Sequence, residues 1–384
     1  MFSRRTPASL APSAMSRAIE ERRRGGAPLI DLTLSNPTRA GIEYPAGEIL
    51  AALNDARSLT YEPSAQGLLA AREAIAAYHG RGAKPESIFL AASTSEAYSW
   101  TFKLLCEPGD EVLVPRPSYP LFDCLASLDA VQAVQYPLIE LFGWAIDFDA
   151  LERIATPRAR AVVAVNPNNP TGSYLPHEDF TRLEAWAARR GIALIVDEVF
   201  HDYAIEAGAG RGSALESGGD ALVFMLSGLS KIAGLPQMKL GWLHVAGPDA
   251  LVREARERLE WTADAYLPVS APVQHAAAQW LQLAPAIQRA ILARVRANLQ
   301  GWRNGLESGA RMLPVEGGWS GIIEVPRTRT EDQWVLALLD RGILVQPGYY
   351  YDFERDGLLV ASLLPRPECT LDGLRVINQL IRGV

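Results

Sequence analysis

From residue 87 onward the chain repeats one arrangement: a short apolar run, a cluster of turn formers, then a longer segment rich in Ala, Leu and Arg. Residues 87–92 predict a strand and 96–106 a helix, closed by Pro108-Gly109-Asp110. Residues 111–114 predict a second strand and 119–128 a second helix. The β-branched run 161–165 precedes the turn Asn166-Pro167-Asn168-Asn169-Pro170-Thr171-Gly172. Residues 177–190 predict a helix ending at Gly191, and 192–196 and 221–226 are strands without polar interruption. Strands apolar at every position are buried on both faces. With helices between them they predict an α/β fold, a mostly parallel central sheet sandwiched by helices.

Residues 249 to about 303 read as mostly helical, with Pro268 and Pro272 as breaks. Beyond Gly305 the texture changes: short strands at 321–325, 342–345 and 358–362 flank a helix at 331–341, a smaller α+β module. The expected division is a large α/β domain over 46–280 and a small one made of 281–384 plus the N-terminal arm, 1–45. A chain of 384 residues is long enough for two cores.

Composition narrows the function. A net charge of −7 argues against nucleic acid as the main partner, and the basic cluster Arg22-Arg23-Arg24 is balanced by Glu20 and Glu21. Cys106, Cys124 and Cys369 form no CxxC pair and no cluster with histidine at metal-ligand spacing, so neither a disulfide framework nor a metal site is expected. No apolar run approaches the ~20 residues of a spanning helix, and no apolar stretch near the N-terminus is long enough to predict a secretory signal. A protein of the reducing cytoplasm, away from membranes, is the expectation.

The candidate chemistry lies at strand ends. Lysine occurs only four times, at 84, 103, 231 and 239, so it is not general surface filler. Lys231 follows an apolar strand among small residues, where lost solvation lowers its pKa and makes it a nucleophile for an aldehyde; the plainer alternative is a lysine reaching solvent from a strand end. Asp197 ends another buried strand and suits a pyridinium N–H, or else caps a helix. Asn169 lies in the turn after a third strand, able to donate to a phenolate oxygen or simply to build the turn. Ser93-Thr94-Ser95 stands before a helix, where hydroxyls and free N–H groups hold phosphate; Ser93 and Glu96 equally form a capping box. Four such features at strand ends converge on the ligand crevice of an α/β sheet.

With these residues in place, the sequence resembles the class I/II aminotransferases, the aspartate-aminotransferase-like branch of the fold type I pyridoxal-phosphate enzymes. The segments that carry the resemblance are Tyr61 through Arg72 with Gly67, the Ser93–Ser95 cup, Pro108 through Val112, and Pro117-Ser118-Tyr119. Asn166 through Gly172, Asp197 through Phe200, Ser230-Lys231 with Gly241, and Pro347-Gly348 complete the series. The resemblance implies pyridoxal 5'-phosphate held as a Schiff base on Lys231, which also shuttles a proton between Cα and the cofactor. It implies that Asp197 pairs with the pyridine nitrogen, Asn169 with the phenolate, and that Tyr119 stacks on the ring unless it is a core aromatic. Ser93, Thr94 and Ser95 would hold the phosphate, joined by Tyr61 from the neighbouring subunit of a homodimer.

Several positions depart from that family's usual pattern. Lys239 stands where arginine usually grips the phosphate, and Gln237 where a small residue is usual. Gly228 replaces a frequent phosphate-binding serine, for which Ser227 or Ser230 could compensate, and Phe200 replaces a tyrosine that donates to the phenolate. Val360 occupies the place of the arginine that clamps the substrate carboxylate, with Arg366 the nearest replacement in sequence. Trp319 is either a pocket wall or a core residue. The leading expectation is an aminotransferase moving an amino group from an amine or amino-acid donor to a 2-oxo acid or carbonyl acceptor. A lyase on the same scaffold, performing β-elimination or an aminocyclopropane-carboxylate-synthase-like step, stays open, as does a non-catalytic binding protein that kept the fold.

Overall fold

In the computed structural model, which describes residues 2–7, 9–80, 82–206 and 211–383, the apolar runs pair into one eight-stranded sheet. Its strands are β1 (Ile88–Ala91), β2 (Glu111–Arg116), β3 (Gln132–Ile139), β4 (Ala145–Ile146), β5 (Ala159–Val165), β6 (Ala193–Asp197), β7 (Val223–Gly228) and β8 (Gly241–Ala246). The spatial order is β1-β8-β7-β6-β5-β2-β3-β4. Strands β7, β6, β5, β2 and β3 are parallel, whereas β8 runs antiparallel to both its neighbours and β4 closes the far edge antiparallel.

Both sheet faces are covered, which explains strands that are apolar throughout. On one face Phe89, Val163, Ile195 and Phe224 pack with Trp100, Phe102 and Leu259. These come from helices α2 (Thr94–Leu105) and α6 (Asp249–Asp264). On the other, Val162, Leu194, Val196 and Met225 pack with Phe180, Leu183 and Trp186 of α4 (His177–Arg190). Helix α4 has the predicted span: Glu178 and Asp179 lie in its first turn, Arg189 and Arg190 in its last, and Gly191 ends it in the left-handed conformation.

Other elements differ from expectation. The predicted helix at 119–128 begins at Phe122, as α3 (Phe122–Leu128), which leaves Tyr119 on the turn before it. Of the two prolines read as breaks, Pro268 lies in the gap after α6. Pro272 instead starts α7 (Ala271–Gly305), where a missing N–H costs nothing. That 35-residue helix runs continuously across residue 280.

The second sheet has four antiparallel strands: β9 (Arg311–Met312), β10 (Ser320–Glu324), β11 (Gln346–Pro347) and β12 (Leu358–Ser362), ordered β9-β10-β12-β11. The run expected as one strand over 342–345 divides. Ile343–Leu344 pairs in parallel with Ile30–Asp31 of the N-terminal arm, and only the residues after it join the small sheet. Helices α8 (Glu331–Asp340) and α9 (Pro367–Ile381) send Trp334, Leu338 and Ile377 into one core with Ile291, Val295 and Trp302 of α7. Among the described residues no helix is long and apolar enough to cross a membrane.

Candidate active site

Because the strands are parallel, their C-terminal ends lie on one edge of the large sheet, and the loops that follow them meet there. Asp197 is the last residue of β6. Asn169 follows β5 and Tyr119 follows β2, while Thr94 opens α2 just after β1. Lys231 lies on the one-turn helix α5 (Leu229–Ile232) directly after β7. Thr94, Tyr119, Asn169, Asp197, Phe200, Ser230 and Lys231 all line one cavity of about 290 Å³. The small sheet and the arm close it from the opposite side, through Trp319, Ser320, Gln346, Val360, Thr33 and Tyr351 among others.

Asp197 shares a sheet face with Ile195, because side chains alternate along a strand. That is the face covered by α2, and Tyr98, one turn after Thr94, donates its hydroxyl to Asp197 Oδ2 at 3.1 Å. The Val199 N–H donates to Oδ1, also at 3.1 Å. Burial pushes the Asp197 carboxyl up to about 6, held back by these two hydrogen bonds and by the positive charge of Lys231. Burial likewise brings the Lys231 ammonium down to about 8, with Asp197 opposing. Its Nζ lies 5.0 Å from the ring centre of Trp319 and 5.1 Å from that of Phe200. Tyr203 donates its hydroxyl to the Lys231 carbonyl at 2.6 Å, and its ring packs edge-on against Trp319.

The three asparagines of the 166–172 turn divide by partner. Asn166 donates to the Gly212 carbonyl at 2.7 Å and accepts from the Leu175 N–H. Asn168 donates to the Pro117 carbonyl and to Thr171 Oγ1, both at 2.9 Å, and accepts from the Ser118 hydroxyl. These two build the turn. Asn169 lines the cavity, and its amide has no hydrogen-bond partner among the described residues. At the edge of the cavity Gly228 and Gly241 lie back to back. A Cβ on Gly241 would come within 3.0 Å of the Thr94 nitrogen, and one on Gly228 within 3.0 Å of the Gly241 Cα. The backbone around the start of α2, with its unsatisfied first-turn N–H groups, is thereby left open to a small anion.

Six sequence candidates lie outside the cavity lining. Ser93 caps α2, accepting the Glu96 N–H at 3.2 Å, while Glu96 accepts the Ala92 N–H at 2.7 Å. The capping alternative therefore holds for Ser93, and Ser95 sits in the helix's first turn. The Ser227 hydroxyl is buried without a partner among the described residues. Lys239 is exposed, in a left-handed conformation with φ of 54°. Tyr61 is 79 % exposed in a separate depression beside Leu267 and Pro268. Arg366 is exposed ahead of α9 and does not reach the cavity, and among the described residues no arginine lines it. Val360 does line it, between Ile322 and Gln346 in the ladder.

The family description "Aminotransferase class I and II" matches residues 27–363. The chain belongs to the class I and II aminotransferase family. It is 30 % identical over 255 residues to glutamate-pyruvate aminotransferase AlaA of Escherichia coli strain K12, a match that covers 65 % of this chain and 63 % of that one. It is 31 % identical over 256 residues to an alanine aminotransferase of Mycobacterium tuberculosis, covering 65 % and 59 % of the two. The chain thus matches less than two thirds of these relatives' lengths. An alanine aminotransferase structure from Pyrococcus furiosus superposes with a TM-score of 0.89 over all of both chains at 23 % identity, which shows the fold: fold type I. The cofactor of this family, and of this chain, is pyridoxal 5'-phosphate. The residues fit it: a buried carboxylate without a cation in hydrogen-bond contact, an unpartnered amide, an amine shifted toward neutrality and an anion cradle surround one cavity.

Proposed function

We propose that this chain is a pyridoxal-phosphate-dependent aminotransferase, moving an amino group from an amine or amino-acid donor to a 2-oxo acid or other carbonyl acceptor. The observation that carries the reading is the convergence of the Lys231 amine and the Asp197 carboxylate on one cavity at the sheet's C-terminal edge. When bound, the cofactor supplies an electron sink for the bond broken at the substrate's Cα. The Lys231 amine would hold the cofactor and, when free, would move the proton at the substrate's Cα. An amine lowered to about 8 suits both tasks. Asp197 would keep the pyridine nitrogen protonated, and that N–H would offset the burial that raises the carboxyl's pKa. Asn169 would donate to the phenolate oxygen, Tyr119 would wall one ring face, and the Thr94 end of α2 with Ser230 would take the phosphate. Lys239, exposed two residues before Gly241, would add positive charge to that end.

The site is completed in a homodimer, where Tyr61 reaches the partner's phosphate. The large exposed apolar residues Leu59, Tyr61 and Trp261 support such a contact. Free cysteines throughout support a cytoplasmic location. The test is spectroscopic: an amino donor should bleach the visible band of the yellow protein, and a carbonyl acceptor should restore it. Release of pyruvate, ammonia or thiol without an acceptor would instead make the protein a lyase.

A further inference from the structure

The charge inventory of the cavity is short. Among its lining residues only Lys231 and Asp197 carry charge, and the proposed function commits both to the cofactor. What remains for the substrate is the wall formed by the small sheet and the arm. Its centre is Val360, buried and flanked in the ladder by Gln346 and Ile322. Most polar groups of that wall are already engaged. The Ser362 hydroxyl donates to the Leu34 carbonyl at 2.6 Å and accepts the Leu364 N–H. The Thr33 hydroxyl donates to Asp31 at 2.5 Å. The Tyr351 hydroxyl donates to Gln346 Oε1 at 2.6 Å, which leaves the Gln346 amide N–H groups and the Ser35 and Ser320 hydroxyls as neutral donors.

A carboxylate placed against this wall would lose its hydration and find no cation, an arrangement that proteins avoid because an unpaired buried charge is costly. A carbon skeleton would meet Val360, Trp319 and Tyr351 instead. We propose that the substrates of this protein carry no α-carboxylate: the donor is a primary amine with an apolar or aromatic substituent, and it leaves as the corresponding aldehyde. This rests on the aminotransferase reading above. In the donor half-reaction the carbon bearing nitrogen loses a proton to Lys231 and its C–N bond to water. It leaves two electrons and the nitrogen with the cofactor, and an acceptor carbonyl takes both back. Gln346 is the specificity residue, its amide placed to meet a neutral oxygen and unable to neutralise an anion.

The test compares two inert ligands of one skeleton, 3-phenylpropanamide and 3-phenylpropionate, titrated into the holoprotein by calorimetry. The amide should bind at least tenfold more tightly. In V360R, which introduces a guanidinium into the wall, the carboxylate should become the tighter ligand by a similar factor. Equal or tighter binding of the carboxylate by the wild type, or binding of neither ligand, overturns the inference; the first result would mean that a cation reaches the cavity from outside this chain. The wild-type comparison decides the matter even if V360R fails to fold. A parallel titration with 2-phenylethylamine and L-phenylalanine, read on the visible band, separates the two proposals. If neither donor bleaches the band the aminotransferase reading fails, whereas if L-phenylalanine bleaches it at lower concentration only the substrate inference fails.

Discussion

The cavity has two walls of opposite character. The wall built by the large sheet carries every charge in the lining, at the ends of β6 and just past β7, and each charged group has its pKa displaced by burial. The wall built by the small sheet is neutral, and its hydroxyls are mostly engaged in holding the arm and the strands together. Burial of charge is tolerated only where a partner is expected, so the first wall is shaped around a charged ligand. The second is shaped around a group that needs shape and apolar contact. One wall defines the chemistry and the other defines what is admitted to it.

The comparison is broken most completely at Lys231. Lys231→Ala should abolish the visible Schiff-base absorbance and reduce turnover by at least roughly 10²–10⁴-fold. Absorption spectra and single-turnover rates measure both, and a surviving visible band would remove Lys231 from the centre of the charged wall.

Asp197→Asn comes next. In the holoprotein it should weaken cofactor retention by roughly 10–100-fold, the cost of replacing a charge-assisted hydrogen bond by a neutral one. Dialysis against buffer without cofactor, followed by absorbance, reads this directly. In the apoprotein the sign reverses. The carboxyl titrates at about 6 when folded against an ordinary 3.8, so the folded chain holds the proton more tightly than the unfolded one. Its stabilising contribution is complete below pH 3.8 and is lost as the pH rises through 6. Asp197→Asn should therefore stabilise the apoprotein above pH 7, by about 3 kcal/mol at most. The gain should vanish below pH 4, and denaturant melts across that range would check it.

Tyr203 tests how independent the walls are. Its hydroxyl supports the Lys231 carbonyl at 2.6 Å, while its ring lies 4.9 Å from that of Trp319, so it touches both sides. Tyr203→Phe should cost about 1 kcal/mol in stability, the usual worth of one neutral hydrogen bond, and leave the visible band unchanged. A shifted band would show that Tyr203 positions the lysine and that the walls are coupled.

The two walls also differed in how far they could be read from residue order. Lys231, Asp197 and Asn169 were legible because each adjoins an apolar strand, and parallel strands bring such positions to one edge whatever the loops do. Tyr98 carried a usable signal, lying four residues after Thr94 on one face of α2, but it has no motif of its own. Tyr203 and Gln346 gave none, because what places them comes from distant segments: the Lys231 carbonyl for one and the ladder pairing with Val360 for the other. Strand β3 was hidden by Pro137 and by positions only half-buried next to the sheet's edge. Strand β8 drew no expectation of its own, and its reversed direction has no counterpart in local sequence. Phe200 and Val360 were visible as departures from a family pattern, and their meaning emerged only from facing one cavity.

Phe200 provides the smallest and most discriminating change. Its ring lines the cavity, lies 5.1 Å from Lys231 Nζ and packs edge-on against Trp319 at 5.2 Å, so it stands at the seam between the two walls. Phe200→Tyr adds one hydroxyl to the charged wall without changing the neutral one. A second donor beside the Asn169 amide would stabilise the phenolate most when the neighbouring nitrogen has lost its proton, and would so favour the deprotonated form. The pH midpoint of the visible band should therefore fall, by about one unit or less, the value of a single neutral hydrogen bond at 1.36 kcal/mol per unit. Binding of 3-phenylpropanamide should stay unchanged, because the groups that face it are untouched. If the midpoint moves and amide binding is constant, cofactor and substrate recognition are separable along this seam. If both move together, Phe200 belongs to the substrate wall and the division between the walls lies nearer to Lys231.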